Sequence, residues 1–517
     1  VVGLLVSVIA MITVPDPPVA TYRLQFNRDF TFADAAAMVD YLHRLGISHI
    51  YASPYLKARP GSLHGYDIVE HDALNPEIGN EADHAALVAE LHRHRMGQIL
   101  DVVPNHMAVG GSDNAWWQDV LEHGEASRYA GYFDIDWRPA DPTLHGRVLL
   151  PFLGDYYGKV LERGELCPVF DPESGTISVS YYGHCFPLDP RSYPAALAAA
   201  PALLDASARA RLGEVLAEFT ALPPRGARLP VEGADRSEQA RAAKRRLSGL
   251  CARHPEIGAS IQRALAQLRG VPGDPSSFDA LHELLEAQPW RPAFWQVATD
   301  QINYRRFFDI NELAGLRVEC REVFDDTHRL VARLLAEGAV DGVRIDHPDG
   351  LADPQHYFER LQELAGRPLY VVAEKILAGW EHLPSEWPIA GTTGYDFAGV
   401  LNGLLVWPHS ERRMNRIYRR FTGLGTLFDE LLYERKKHII RGILSAELSV
   451  LGNLLYRIAQ DDRDTRDFTR HGLLDAITET VACFPVYRTY ITADAVSAED
   501  RRYVEWAIAQ AIKRGPG

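Results

Sequence analysis

The chain is poor in cysteine: five in 517 residues, at Cys167, Cys185, Cys251, Cys320 and Cys483. Scattered, odd in number and without metal-ligand spacing, they exclude a disulfide framework and a zinc-type site and fit reduced thiols in a cytosol. Basic excess is also missing. Lys and Arg number 54 against 69 Asp and Glu, a formal net charge of -15, which argues against nucleic acid as a partner and fits a neutral one. Long apolar runs are absent. The nearest candidate, Val1 to Ile12, is interrupted by Gly3 and Ser7 and is too short for a bilayer. It has no basic start, and Val14-Pro15-Asp16-Pro17-Pro18 is a poor cleavage site. Met11 reads as the natural start. No membrane partner is expected, and no solenoid repeat or low-complexity tract occurs beyond the Ala-rich 195–201.

What is present is ordinary for a soluble globular enzyme: 46% hydrophobic and 24% charged residues. Residues Ala20 to Phe26 predict a strand. Phe32 to Leu45 predicts a helix, with Thr31 as N-cap and Gly46 as its stop. Ile47 to Ala52, Asp83 to His94 and Gln98 to Val103 continue as strand, helix, strand. Such alternation implies parallel strands joined by right-handed crossovers. It stops after His106. Residues 107–188, rich in Gly, Pro, Asp and aromatics, read as an irregular or small β insertion, and 189–290 as a helical insertion. The Arg-rich stretch Arg236 to Arg246 reads as a solvated helix face. Phe294 to Glu312 reads as a loop and helix. The alternation resumes with a helix over Cys320 to Glu337, a strand ending at Asp346, a helix over Pro354 to Ala365, a strand ending at Glu374 and a strand end near Gly391 to Phe397.

The expected fold is therefore α/β: a (β/α)8 TIM-type barrel, incomplete in this chain, with an irregular/β insertion after strand 3 and large helical insertions. The segments are 13–106 and 291–410 for the barrel, 107–188 and 189–290 for the insertions, and 411–517 for a helical excursion. Six strands can be placed where a closed barrel needs eight.

Chemistry concentrates at strand ends. Val343-Arg344-Ile345-Asp346-His347 delivers an Arg and an Asp to the end of a buried strand. Tyr370-Val371-Val372-Ala373 ends in Glu374-Lys375, and Leu100-Asp101-Val102-Val103-Pro104-Asn105-His106 supplies a third piece. Parallel-sheet enzymes keep their chemistry at that edge. A paired Asp and Glu is the minimal equipment for retaining glycosidic chemistry. Either acid alone reads equally well as a cap on a strand-to-helix turn.

These three ordered motifs, with His64-Gly65-Tyr66-Asp67, resemble the α-amylase superfamily, glycoside hydrolase family thirteen. Within it, Tyr22 to Phe26, Ser53-Pro54-Tyr55, Gly61 to Asp67, Asn303 to Asp309, Arg344 to Leu351 and Ala373 to Leu377 are similar to the maltooligosyl trehalose synthase branch. The resemblance implies Asp346 as nucleophile, Glu374 as acid/base and Arg344 as the group that orients Asp346. It implies Tyr66, Asp67, Asp101, His106 and His347 around the reacting sugar, with Tyr66 as a stacking platform. It further implies a maltooligosaccharide substrate, no cofactor, no metal and a monomer. The implied reaction is intramolecular: the reducing-end α-1,4 bond is cleaved and the glucose rejoined through an α-1,1 bond. Water must then be kept from the glycosyl-enzyme, and the insertions and the 294–312 segment are lid candidates.

The superfamily's third acid, an Asp in a His-Asp motif on the seventh strand, has no counterpart here. His71-Asp72 lies near the second strand, and Asp461, Asp462, Asp464 and Asp467 sit in a charged helix-like run. The expectation is that this acid lies past residue 517. A maltooligosaccharide hydrolase and an inactive α-glucan-binding fragment remain open alternatives. Trp116, Trp117, Trp137, Tyr156 and Tyr157 could be sugar platforms or could pack the insertion's core.

Overall fold

The computed structural model describes residues 17–225, 236–425 and 427–515, so the apolar Val1 to Ile12 run and the Met11 start lie outside the described residues. The chain divides into two compact units. The first comprises residues 1–106, 316–441 and 471–517, and the second 107–315 and 442–470.

The first unit is built on six parallel strands: β1 (Thr21–Leu24), β2 (His49–Ala52), β3 (Gly97–Val102), β4 (Gly342–Ile345), β5 (Tyr370–Ala373) and β6 (Gly391–Thr392). They hydrogen-bond in the order β1-β2-β3-β4-β5-β6, every pair parallel. Spatial order equals chain order. The sheet therefore has no reversal point of the doubly wound kind and winds one way, as a half-barrel does. Among the described residues it has six strands, with β1 and β6 at its edges.

Local sequence explains the crossovers. Helix α1 (Phe32–Leu45) starts at Thr31, whose hydroxyl accepts from the Asp34 amide while the Asp34 carboxylate accepts from the Thr31 amide, and it stops at Gly46 in the left-handed region. Helix α2 (Glu81–Arg93) has the same reciprocal cap from Asn80 and Asp83. Helices α3 (Arg321–Ala336) and α4 (Pro354–Ala365) follow β3 and β4 in the chain. Each turns an apolar stripe inward: Phe32, Ala35, Val39 and Leu42 on α1, and Val323, Phe324, Leu330, Val331 and Leu334 on α3, are buried. Ile50, Leu100, Val343, Ile345, Val371 and Ala373 of the strands are buried too, and this interior holds the strand ends rigid. Further helices of this unit run over Glu411–Thr422, Phe428–Arg441 and Ala498–Arg514.

The second unit contains what the sequence described only loosely. Val148–Leu153 pairs in parallel with Trp290–Phe294, a strand that sequence reading missed. Its ladder partner is far away in sequence, and Pro292 sits at its irregularity. Cys167–Asp171, Thr176–Tyr181 and His184–Pro187 form an antiparallel sheet. Helices run over Ala206–Ala221, Arg236–Arg253, Pro255–Gln267 and Asp279–Glu286. The expected loop and helix over 294–312 is a short helix, Ala298–Gln301, followed by a hairpin of Arg306–Phe307 and Ile310–Gly315. The Arg-rich stretch is a helix whose Arg241, Arg245 and Arg246 are exposed, as expected of a solvated face, but two of its cations turn inward. Arg236 and Lys244 are buried, paired with Asp189 and Glu122.

Candidate active site

Strand registration alone assembles the site. Asp101 of β3 lies opposite Arg344 of β4, and Arg23 of β1 lies opposite Tyr51 of β2. With a side-chain period of two, these polar side chains share one face. Asp346 and Glu374 follow directly from the ends of β4 and β5, and each is tied back by its amide, Asp346 to Val102 O and Glu374 to Ile345 O (both 2.9 Å).

Arg344 is the hub. Its Nη1 donates to Asp101 Oδ1 at 2.8 Å and to Asp346 Oδ1 at 2.6 Å, and its Nη2 lies 3.0 Å from Glu374 Oε1. Both candidate catalytic carboxyls are thus held on the terminal nitrogens of one guanidinium. Asp101 is fully buried and also accepts from Arg23 Nη1 (2.9 Å), Tyr51 Oη (3.1 Å) and Tyr66 Oη (2.5 Å). Every oxygen of this carboxylate is occupied, so it anchors the others.

The electrostatics follow from the count of charges. Three carboxylates, Asp101, Asp346 and Glu374, face two guanidiniums, Arg344 and Arg23. Burial works against the Arg344 charge, but Asp101, Tyr51, Asp346 and Glu374 outweigh it and hold it protonated. Burial also pushes the Asp346 carboxyl up. Arg344 pulls it down, Asp101 and Glu374 push it up again, and the net displacement is upward. Burial and the Asp101 charge raise the Tyr51 and Tyr66 hydroxyls, so both remain donors. Asp346 keeps 8% of its side-chain surface and Glu374 24%, so Glu374 stands nearer the opening.

His347 takes a left-handed conformation, φ 44°, costly for a side chain of this size. The turn aims its amide at Glu374 Oε2, 3.1 Å away. Gly350 closes this turn because a Cβ there would collide with Asn105 Oδ1 and His347 Nδ1. Lys375, buried beside Glu374, pairs with Asp349 (3.0 Å) and Glu381 (2.8 Å). Tyr490 Oη donates to Asp349 at 2.5 Å.

The expected residues are distributed as follows. Asp101, Arg344, Asp346, Glu374 and Tyr66 come together, and His347 reaches Glu374 through its backbone. His106 is buried, with Nδ1 3.4 Å from Asn105 Nδ2. Asp67 accepts from Ser62 Oγ at 2.5 Å and braces the turn that carries Tyr66. Three neighbours were not singled out in the sequence: Arg23, Tyr51 and Tyr395, whose hydroxyl is 3.4 Å from Glu374 Oε1. For the first two the signal was a polar residue inside an apolar strand on the same parity as Asp101. Tyr395, at the start of a helix after Gly394, gave none. Asp461, Asp462, Asp464 and Asp467 belong to the second unit. Among the described residues no cluster of His, Cys, Asp or Glu could hold a metal ion, and no single helix is long and apolar enough to cross a membrane.

The chain is similar to several known proteins. The family model for the alpha amylase catalytic domain matches residues 35–159. A putative maltooligosyl trehalose synthase of Mycobacterium tuberculosis is 33% identical over 455 residues, 86% of this chain and 46% of that protein. An intracellular maltogenic amylase of Bacillus subtilis is 37% identical over 122 residues, 23% of this chain and 20% of that one. Among solved structures, maltooligosyltrehalose synthase from Arthrobacter ramosus superposes with a TM-score of 0.68 at 33% identity, covering 96% of this chain and 51% of that one. A Sulfolobus tokodaii hypothetical maltooligosyl trehalose synthase does so with a TM-score of 0.65 at 28% identity, covering 97% and 53%. The chain thus spans about half the length of these synthase relatives.

Proposed function

We propose that this chain, homologous across 86% of its length to a protein named maltooligosyl trehalose synthase, carries the nucleophile and the acid/base of an intramolecular glucosyl mutase. The observation that carries this reading is the single guanidinium of Arg344 holding Asp346 and Glu374 together at the ends of adjacent parallel strands.

The chemistry is a double displacement. Glu374, the more exposed acid, gives its proton to the glycosidic oxygen of the reducing-end α-1,4 bond as an Asp346 oxygen attacks the anomeric carbon. The C–O bond to the leaving glucose breaks and an ester to Asp346 forms. Arg344 stabilises the carboxylate form of Asp346 that this attack requires. Glu374, now ionised, takes the proton from the anomeric hydroxyl of the released glucose. That oxygen attacks the glycosyl-enzyme, the ester breaks, and an α-1,1 bond closes with net retention. Tyr66, Asp67, Asp101, His106 and His347 shape the pocket in which the glucose is retained.

The test uses a version extended to the length of the relatives, with the 517-residue chain beside it, on maltopentaose. Loss of reducing ends without matching release of glucose is the expected result. Glucose appearing instead would make the protein a hydrolase.

A further inference from the structure

The second unit carries aromatic rings that the chemistry above does not use. Most large aromatics of this unit pack inward: Trp117 and Trp290 are fully buried, and Trp116 stacks on Tyr129 at 5.3 Å. Tyr156 and Trp295 do not. They keep 62% and 53% of their surface exposed. Phe294, half-buried, lies between them, 5.2 Å from the Tyr156 ring and 5.8 Å from the Trp295 ring. The three form a continuous strip at the ends of the paired strands Val148–Leu153 and Trp290–Phe294.

The strip's surroundings choose among possible occupants. The nearby aliphatic side chains are inside: Leu149, Leu153 and Ala293 are buried, and Val297 packs partly buried against Leu144, Leu149 and Ala293. Over 148–163 and 290–298 no aliphatic side chain is exposed. The surface offers rings edged by hydrogen-bonding groups, with no exposed aliphatic side chain among them. Asp155 accepts from the Tyr156 amide (2.8 Å) and pairs with Lys159 (3.4 Å) and Arg163 (2.7 Å). The Lys159 ammonium also sits 5.2 Å over the Tyr156 ring, and Gln296 is exposed beside Trp295. Ring faces flanked by donors and acceptors match a sugar chain, whose apolar CH faces stack while its hydroxyls bond at the edge. The chain's net charge of -15 disfavours an acidic polymer and leaves a neutral one.

We propose that Tyr156, Phe294 and Trp295 form a binding surface for an α-1,4-glucan chain. The ligand class rests on the functional reading above; the existence of a sugar surface rests on the strip alone. The surface fixes the polymer by stacking.

The test is affinity electrophoresis of the 517-residue protein in gels containing amylose, with dextran gels as control and maltoheptaose as competitor. Tyr156→Ala and Trp295→Ala, singly and together, are compared with wild type and with Asp346→Asn. Both ring positions are exposed, so the variants should fold, and their melting temperatures check this. Wild type and Asp346→Asn should be retarded by amylose, with the double ring variant about tenfold weaker, near 1.4 kcal/mol. Equal retardation of the double variant, or none of the wild type, overturns the proposal. Retardation by dextran as strong as by amylose keeps the surface and removes the α-1,4 assignment. None of these readings requires turnover, so failure of the mutase reading would show separately, in the maltopentaose assay.

Discussion

Two buried ionic networks in this protein look alike and are balanced differently. In the second unit, Arg236 donates to Asp189 Oδ1 at 2.5 Å, and Lys244 donates to both oxygens of Glu122 at 2.6 and 2.9 Å. Arg225 adds a longer contact to Asp189 at 3.6 Å. Each acid there has its own cation. At the strand ends of the first unit, three carboxylates share Arg344 and Arg23. In the second unit's structural network no acid shares its cation with another acid. The candidate active site keeps a surplus of negative charge, and burial, with Asp101 and Glu374 adding to it against the pull of Arg344, lifts Asp346 above the ordinary carboxylate range. Burial raises Glu122 as well, so what sets the strand-end network apart is its shared cation and the opening at Glu374, 24% exposed.

The largest expected effect breaks the balanced network. Arg236→Met leaves Asp189 buried without its closest cation, and removing one partner of a buried pair costs about 3–5 kcal/mol. Urea unfolding followed by hydrogen exchange over 115–123 and 236–253 reads this loss. A change below about 1 kcal/mol would mean that the network is as weak as a surface pair.

Next comes the unbalanced network. Arg344→Met should cost about 3 kcal/mol in the barrier to glycosyl-enzyme formation, a hundredfold or more, measured on the extended version. The stability loss should be smaller, because Asp101 retains Arg23, Tyr51 and Tyr66. A variant that unfolds while its folded fraction reacts normally would assign Arg344 to structure alone.

The third contrast is in the response to pH, where the two networks have opposite signs. Burial, with Arg236 and Lys244 adding to it, lowers His123 to about 3. The unfolded ring, near about 6.5, takes up a proton first. Stability from the neutral ring is therefore lost as pH falls below that value, at up to about 1.4 kcal/mol per pH unit. Glu122, raised by burial, offsets part of this. Asp346 is also raised, so its contribution runs the other way: stability is lost as pH rises through the raised folded value and regained as pH falls toward the unfolded value near about 4. His123→Asn should flatten the acid-side loss, and Asp346→Asn should remove the alkaline-side loss without lowering the melting temperature. Melting curves from pH 4 to pH 8 decide both; unchanged slopes in either variant would contradict its assignment.

How much of this was legible in the sequence follows the same division. The parallel strands, the capped helices and the carboxylates at strand ends were readable, because local pattern and strand parity fix them. Asp101, Arg344, Asp346 and Glu374 were found this way. The second unit's network was not. Arg236 and Lys244 meet acids at Asp189 and Glu122, far earlier in the chain, so their stretch read as a solvated face. The strand Trp290–Phe294 was hidden for the same reason. Tyr395 was missed because its hydroxyl reaches Glu374 only through the turn at Gly394.

Tyr395 gives the smallest expected effect. Its contact with Glu374 is long, 3.4 Å, and the ring is 45% exposed. Tyr395→Phe should slow the step that Glu374 assists only a few-fold, about 0.5–1 kcal/mol, in single-turnover rates. A loss approaching that of Arg344→Met would show that Tyr395 takes a direct part in the proton transfer.

The most direct measurement is to trap the covalent intermediate. The extended version is incubated with a fluorinated glucosyl donor, digested, and the labelled peptide sequenced by mass spectrometry. The expected result is a hexosyl ester on Asp346, absent in Asp346→Asn, and formed more slowly in Glu374→Gln. A label on any peptide lacking Asp346 would contradict the assignment of the strand-end network as the catalytic centre.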